Sequence, residues 1–304
     1  MKKNKFIKHI KETSLKDYRS VGGKGGTLGE MMQAGFCVPP GFIITTEALK
    51  FFLIKNNIYK KIKDLFQNHN LKQSEIKRDL IILQNLIESS PLPSEVTNEI
   101  FNILKKTDLK KVAVRSSATT EDSPNFSWAG VFDSFLNVSE KDIITFIKKC
   151  WSSLVNYRSV FYYKTINNKT TLPLLAVIIQ ETIKINITGV VFTVHPVFYN
   201  ENIMIIEYFS KNLSTIQNQF TPATYIIKKD CLKVEEISRL QDKKISKRQI
   251  IQLVKTCQDI EKYFQTPCDI EWVYSGGQFY ILQSRPITTI PQNKHSLFSR
   301  FARK

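Results

Sequence analysis

The sequence predicts an α+β fold with two lobes, and three observations carry that expectation. Apolar residues recur at helical spacing from Thr45 to about Lys106, short β-branched segments appear after Lys110, and helices stay interspersed with them to the end. No internal repeat or low-complexity linker interrupts the series.

The helical stretch breaks at Asn68 to Asn70 and again at Ser89-Ser90-Pro91-Leu92-Pro93, so it reads as several consecutive helices. Lys111 to Ser116 reads as a buried strand, Val131 to Val138 as another, and Glu140 to Tyr163 as one long helix. Leu174 to Gln180, Gly189 to Val194, Ile203 to Tyr208 and Thr224 to Ile227 are short and rich in β-branched residues, which suits strands. A last helix, about Lys247 to Gln265, precedes strands at Cys268 to Tyr274 and Gln278 to Gln283. The adjacent glycines of Ser275-Gly276-Gly277 predict a hairpin between those two. The tail from Pro291 to Lys304 reads as a basic surface segment.

Composition limits the function classes. A chain of 304 residues, 42% hydrophobic and 23% charged, is long enough to bury a sizeable core. Its 44 Lys plus Arg against 27 Asp plus Glu give a net charge of +17, which would suit a polyanionic partner. The excess is spread through Ile- and Asn-rich helices, and no basic stripe interleaves with aromatics, so nucleic-acid binding is not expected. The five cysteines, Cys37, Cys150, Cys231, Cys257 and Cys268, form no C-x-x-C pair, which signals neither a disulfide framework nor a zinc site and fits a reducing cytoplasm. The basic N-terminus never runs into an apolar stretch, and Leu172 to Ile179 is far too short to span a bilayer, so no membrane association is expected.

Four stretches carry chemistry. In Val21 to Glu30, V-G-G-K-G-G-T-L-G-E, four glycines surround Lys24, Thr27 with Glu30 has the pattern of a capping box opening a short helix, and Gly35 is placed to end it. Backbone N–H groups freed by glycine, a helix start and a lysine make a phosphate cradle, although the spacing is not that of a Walker loop. A tight turn before a helix explains the glycines equally well. In Val112 to Val131, Arg115 leaves the end of a strand, where a guanidinium can neutralise phosphate oxygens bidentately. A polar loop carrying Ser116, Ser117, Thr119, Thr120, Glu121 and Asp122 follows, small enough in composition for a lid, and an ordinary surface loop would be as polar.

The third stretch is Cys268 to Arg285. Asp269 and Glu271 lie two apart on one strand and share a face, as do Gln283 and Arg285 on the hairpin partner. Carboxylate and amide oxygens suit Mg²⁺ bridging phosphates, with an arginine to balance developing charge; a cross-strand salt bridge needs no ligand at all. The fourth is Leu174 to Pro196, a buried strand ending at Gln180-Glu181-Thr182-Ile183 and then a second one. Its strand end could pair with an adenine edge, and its His195, before Pro196, reads as a turn residue rather than a catalyst.

In this order the four stretches resemble the ATP-binding domain shared by pyruvate phosphate dikinase, phosphoenolpyruvate synthase and rifampicin phosphotransferase. The resemblance runs from about Tyr18 to Thr288 and rests on V-G-G-K-x-x-x-L-G-E with P-P-G-F at Val21 to Phe42, V-R-S-S-A-x-x-E-D at Val114 to Asp122, D-I-E-W at Asp269 to Trp272, and L-Q-S-R-P-I-T at Leu282 to Thr288. It implies an ATP-grasp fold, two lobes of about 1–182 and 183–290 with mixed or antiparallel sheets enclosing a nucleotide cleft. It also implies that Lys24 and Arg115 hold phosphates, that Gln180, Thr182 and Ile183 border adenine, that Glu271 and Gln283 hold Mg²⁺, and that Arg285 is a further phosphate contact. Arg115 and Arg285 are the residues expected to act in catalysis.

In that family a histidine on a swivelling domain attacks the β-phosphorus of ATP and AMP leaves. His9, His69, His195 and His295 sit in no Thr-Ser-His-like context, so the phosphohistidine and substrate domains are expected on a separate protein. Departures from the family pattern fall at Leu213, Ala223 and Val131, where polar residues are usual. They keep open a non-catalytic nucleotide-binding module, and an ATP-grasp ligase releasing ADP is a third reading.

Overall fold

The computed structural model describes residues 5–67, 73–107, 109–119, 132–166, 172–198, 200–210, 222–238 and 245–287. The chain divides into two units, Met1–Gly26 with Pro40–Glu121 and Trp128–Thr182, and Thr27–Pro39 with Asp122–Ser127 and Ile183–Lys304. Each has its own sheet.

The first unit is built on five antiparallel strands in the order β1-β2-β5-β3-β4: β1 Ile7–His9, β2 Gly41–Ile44, β3 Lys111–Ala118, β4 Ser134–Ser139 and β5 Leu175–Glu181. Alternation along the strands divides the sheet into two faces. Phe42 and Ile44 of β2, Val112 and Val114 of β3, and Val177 and Ile179 of β5 point to one face and enter a single apolar core. That core takes in Phe52 of α2 (Thr46–Lys55), Ile62 of α3 (Tyr59–Gln67), Leu83 of α4 (Gln73–Ser89), Ile100 of α5 (Ser94–Leu104) and Trp151 of α6 (Ile143–Ser152). Among the described residues the helical run read from Thr45 to Lys106 is therefore four helices. Its expected break at Ser89 to Pro93 is present, and the one at 68–70 lies outside the described residues.

The long helix expected from Glu140 to Tyr163 is instead broken. A 3-10 turn at Ser153–Val155 follows α6, and α7 starts afresh at Tyr157–Ile166. Apolar periodicity continues through the break, but the polar side chains there bond the backbone and compete with the helix. Ser153 Oγ donates to the Cys150 carbonyl at 2.7 Å, and Asn156 Oδ1 accepts from the Ser159 N–H at 2.7 Å, the geometry of an N-cap.

Helix α1 (Tyr18–Gln33) carries the glycine motif and is interrupted at Gly22, whose φ of 72° and ψ of 172° are not helical. The capping box expected from Thr27 and Glu30 does not form. Thr27 lies inside the helix, and its buried hydroxyl has no hydrogen-bond partner among the described residues. The helix ends as expected near Gly35: Gly35 N–H bonds the Met32 carbonyl and Phe36 N–H the Met31 carbonyl, a Schellman closure.

Among the described residues the second unit has six antiparallel strands in the order β11-β10-β6-β7-β8-β9: β6 Ile187–Phe192, β7 Ile203–Ser210, β8 Ala223–Lys228, β9 Lys233–Ser238, β10 Cys268–Ser275 and β11 Gln278–Pro286. Of the mixed or antiparallel alternatives, the described pairings of both sheets are antiparallel. Helix α8 (Lys247–Phe264) opens on a capping box of Ser246 and Gln249 and buries Ile250, Leu253, Val254, Cys257, Ile260 and Phe264, one stripe at helical spacing. The predicted hairpin joins β10 to β11. Ser275 pairs with Gln278, and Gly276 and Gly277 take φ of 57° and 88°, the left-handed pair that a type I′ turn requires. Among the described residues no helix is long and apolar enough to cross a membrane.

Candidate nucleotide-binding site

Lys24, Arg115, Gln180 and Thr182 belong to the first unit. On β3, Ala113, Arg115 and Ser117 occupy the face opposite the apolar core, as do Ile178 and Gln180 on β5 and Ile43 on β2. Register sets Arg115 opposite Ile178, which in turn faces Ile43, and sets Gln180 between Ala113 and Gly41. The glycine segment of α1 lies over this face: a Cβ on Gly25 would stand 2.8 Å from Ile43 Cδ1, and one on Gly22 would stand 2.3 Å from Ser117 Oγ. The face that the core leaves over is thus the one on which the lysine-bearing loop rests.

Polar groups here are specifically placed. Ser117 Oγ, fully buried, accepts the Gly25 N–H at 3.0 Å and donates to the Val21 carbonyl at 2.8 Å. The Gly25 N–H is therefore not offered to an oxyanion, which corrects the simple picture of a glycine cradle built from every amide in the loop. Burial and Asp133 push the Cys150 thiol far up, and Lys24 partly opposes the shift. Gln180 is buried. Thr182, two residues on, donates its N–H to the Lys111 carbonyl at 3.1 Å, while its own buried hydroxyl has no partner among the described residues. An unsatisfied buried hydroxyl costs about 1–3 kcal/mol, which a polar ligand edge would offset.

The second unit holds Ile183, Glu271, Gln283 and Arg285. Ile183 is half-buried, just before β6. The hairpin register sets Asp269 opposite Arg285 and Glu271 opposite Gln283, with a bulge immediately after Glu271. Bulges of this kind re-aim side chains at sheet edges. The two rungs do different work. Arg285 Nε donates to Asp269 Oδ2 at 2.8 Å and its Nη2 reaches the same oxygen, so the cross-strand ion pair considered for this stretch is real and fixes the guanidinium. Burial pushes the Asp269 carboxyl above its ordinary value, a rise that Arg285 partly offsets and Glu271 adds to. Among the described residues no group of three or more His, Cys, Asp or Glu side chains could hold a metal. One carboxylate facing one buried amide is instead the hard-oxygen donor set that suits a Mg²⁺ ion shared with phosphates.

The family model described as "Pyruvate phosphate dikinase, AMP/ATP-binding domain" matches residues 18–244 and 232–302. This chain belongs to that family. A probable phosphoenolpyruvate synthase of Methanocaldococcus jannaschii is 32% identical, covering 95% of this chain and 27% of its own length. The phosphoenolpyruvate synthase of Pyrococcus furiosus is 30% identical, covering 95% of this chain and 44% of its own. The chain thus spans less than half the length of these relatives. Among solved structures, D-alanine–D-alanine ligase from Helicobacter pylori is similar over 62% of this chain and 46% of that one, at 12% identity and a TM-score of 0.30, too distant to argue from.

Family membership accounts for the order of the four motifs. His195 is a turn residue: its Nδ1 accepts the Val197 and Phe198 N–H groups at 3.2 and 3.1 Å. Ala223, one of the departures from the family pattern, is the buried first residue of β8, opposite Tyr208. Leu213 and Val131 lie outside the described residues, as do Thr120 to Gly130. Sequence reasoning passed over Ser117 as one polar loop residue among several; its place inside a run of strand residues was the signal available.

Proposed function

We propose that this chain is the ATP-binding, Mg²⁺-dependent kinase component of a phosphoenolpyruvate synthase-like phosphotransferase, acting on a histidine supplied by a separate protein that also carries the substrate domain. The observation that carries the reading is the β10–β11 register, which sets Glu271 against Gln283 two residues along from the Asp269–Arg285 pair, in a chain whose family model spans this hairpin and the lysine loop alike. In the proposed reaction the histidine nitrogen bonds to the β-phosphorus, the bridge to the α-phosphorus breaks, and AMP leaves; the γ-phosphoryl then passes to water or phosphate. Lys24 and Arg115 hold phosphate oxygens, Gln180, Thr182 and Ile183 border adenine, and Arg285 opposes the charge that develops on the transferred group. Glu271 and Gln283 would hold Mg²⁺, which would supply neutralisation of the phosphate charge.

Of the two histidines among the described residues, His195 has its Nδ1 bound in its turn and His9 ends β1, while His69 and His295 lie outside them; none of the four sits in a Thr-Ser-His-like context. Five free cysteines fit action in a reducing cytoplasm. A second reading, a nucleotide-binding module without turnover, is favoured by Ala223, buried where the family pattern is acidic. Labelled ATP supplied with Mg²⁺ and whatever protein co-purifies from the native host separates the readings. AMP supports the kinase, ADP points to ligase-type chemistry, and tight binding without product supports the module.

A further inference from the structure

We infer that Ser117 is a positioning residue for nucleotide binding: its hydroxyl caps, from a distant strand, the helix restart that carries Lys24. The inference rests on the proposed phosphate role of Lys24, but the geometry beneath it does not. At Gly22 the chain leaves helical geometry, with φ at 72°, and then resumes the helix. A helix start has N–H groups without intrahelical partners, usually taken by the side chain of the capping residue itself. Gly22 has no side chain to give. A Cβ there would collide with Ser117, 2.3 Å from both its carbonyl oxygen and its Oγ.

Ser117 takes the missing part. Its Oγ accepts from Gly25, three residues after the break, and donates to the Val21 carbonyl just before it, spanning the interruption from 92 residues away in sequence. The other backbone group of Gly25 is held as well: Thr13, also fully buried, shares its one hydroxyl proton between the Ile10 carbonyl at 2.8 Å and the Gly25 carbonyl at 3.2 Å. Gly25, next to Lys24, is therefore held at its N–H by β3 and at its C=O, one peptide further on, by the segment before α1. Arg115 stands on the same face of β3, two residues from Ser117, so one strand both presents one proposed phosphate ligand and fixes the loop that presents the other.

The experiment compares ATP with adenosine, which lacks the phosphates that Lys24 would hold, by calorimetry on wild type, Ser117→Ala, Lys24→Ala and the double variant. Amide exchange at Gly25 is measured without ligand. Expected for Ser117→Ala are loss of Gly25 protection, ATP binding weakened about tenfold, in line with a lost helix cap, and unchanged adenosine binding. In the Lys24→Ala background the same change should cost ATP little, since the residue it positions is gone. Additive losses, or equal losses for ATP and adenosine, overturn the positioning role. Retained Gly25 protection overturns the cap. Should Ser117→Ala fail to fold, Thr13→Val, which keeps the side-chain shape, must give the same split between ATP and adenosine, and equal binding to wild type overturns the clamp. Wild type that binds no ATP defeats the functional reading instead, while the exchange result still decides the cap.

Discussion

Removing either partner of the Asp269–Arg285 pair should destabilise the second unit, but unequally and with opposite bearing on pH. Asp269→Asn takes away the oxygen that receives both Nε and Nη2 of Arg285. The Arg285 side chain is 30% exposed, so water replaces part of what is lost. The cost should fall near the lower end of the about 1.5–3 kcal/mol typical of hydrogen bonds to charged groups. Arg285→Met leaves the carboxylate behind instead, and that side chain is only 10% exposed. An uncompensated buried charge costs about 3–5 kcal/mol. Asp269 already has its pKa raised by burial with Arg285 partly offsetting the rise, so losing Arg285 raises it further. The sign follows from linkage. With the folded pKa above the unfolded one, this group's contribution is fully present below the unfolded value and is lost as pH rises through the folded value. The Arg285→Met penalty is therefore complete at neutral pH and relieved as pH falls towards about 4, near the ordinary aspartate value. Urea denaturation of both variants across this range should show Arg285→Met the less stable at neutral pH and the gap closing on acidification. Equal losses at neutral pH, or a gap that widens in acid, would refute the argument.

Glu271→Gln keeps the hairpin's shape and removes one charged oxygen ligand, so it should weaken Mg-ATP binding about tenfold, as a charged contact is worth, and free ATP much less; equal weakening in calorimetry would remove the metal role. At the hairpin tip, Gly276→Asn should melt close to wild type because asparagine tolerates the left-handed region, whereas Gly277→Val should cost about 1–2 kcal/mol; equal melting would contradict the turn geometry. Alkylation of the native protein should reach exposed Cys231 first and half-buried Cys37 more slowly, its thiol raised by burial. Buried Cys150, Cys257 and Cys268, the last with its thiol pushed up to about 12, should react only after unfolding; mass spectrometry would expose any early labelling.

What could be read in the sequence follows from how local its cause was. The β10–β11 hairpin and the face shared by Asp269 and Glu271 were legible because strand alternation and a glycine pair are both short-range signals, whereas the bulge after Glu271 that sets their rungs was not. β1, β2 and β9 were not read: the first two are three and four residues long, too short for a period to show, and β9 alternates no clear apolar face. The helix from Glu140 was read too long because apolar spacing carries across Ser152 to Asn156, and only side-chain bonds to the backbone end it. The start of the lysine helix was misplaced for the opposite reason. A local pattern at Thr27 and Glu30 matched a capping box, while the residue that caps the restart lies on β3.

Adjacent serines on β3 show how one strand divides its work. Ser116 and Ser117 are both fully buried, and in sequence nothing distinguishes them. Alternation sends Ser116 to the side of Val114, where its Oγ donates to the Asp133 carbonyl at 3.0 Å and helps dock the approach to β4. It sends Ser117 to the side of Arg115, into the lysine loop. Ser116→Ala should therefore lower stability by about 1 kcal/mol, the net worth of one buried hydrogen bond, and leave ATP affinity as it was. Ser117→Ala should move ATP affinity as well. A melting series and a binding series on the two alanine variants form a two-by-two test in which each serves as the other's control. If Ser116→Ala weakened ATP as much as Ser117→Ala, any damage to β3 would reach the nucleotide, and the division of the strand into a packing face and a ligand face would be wrong.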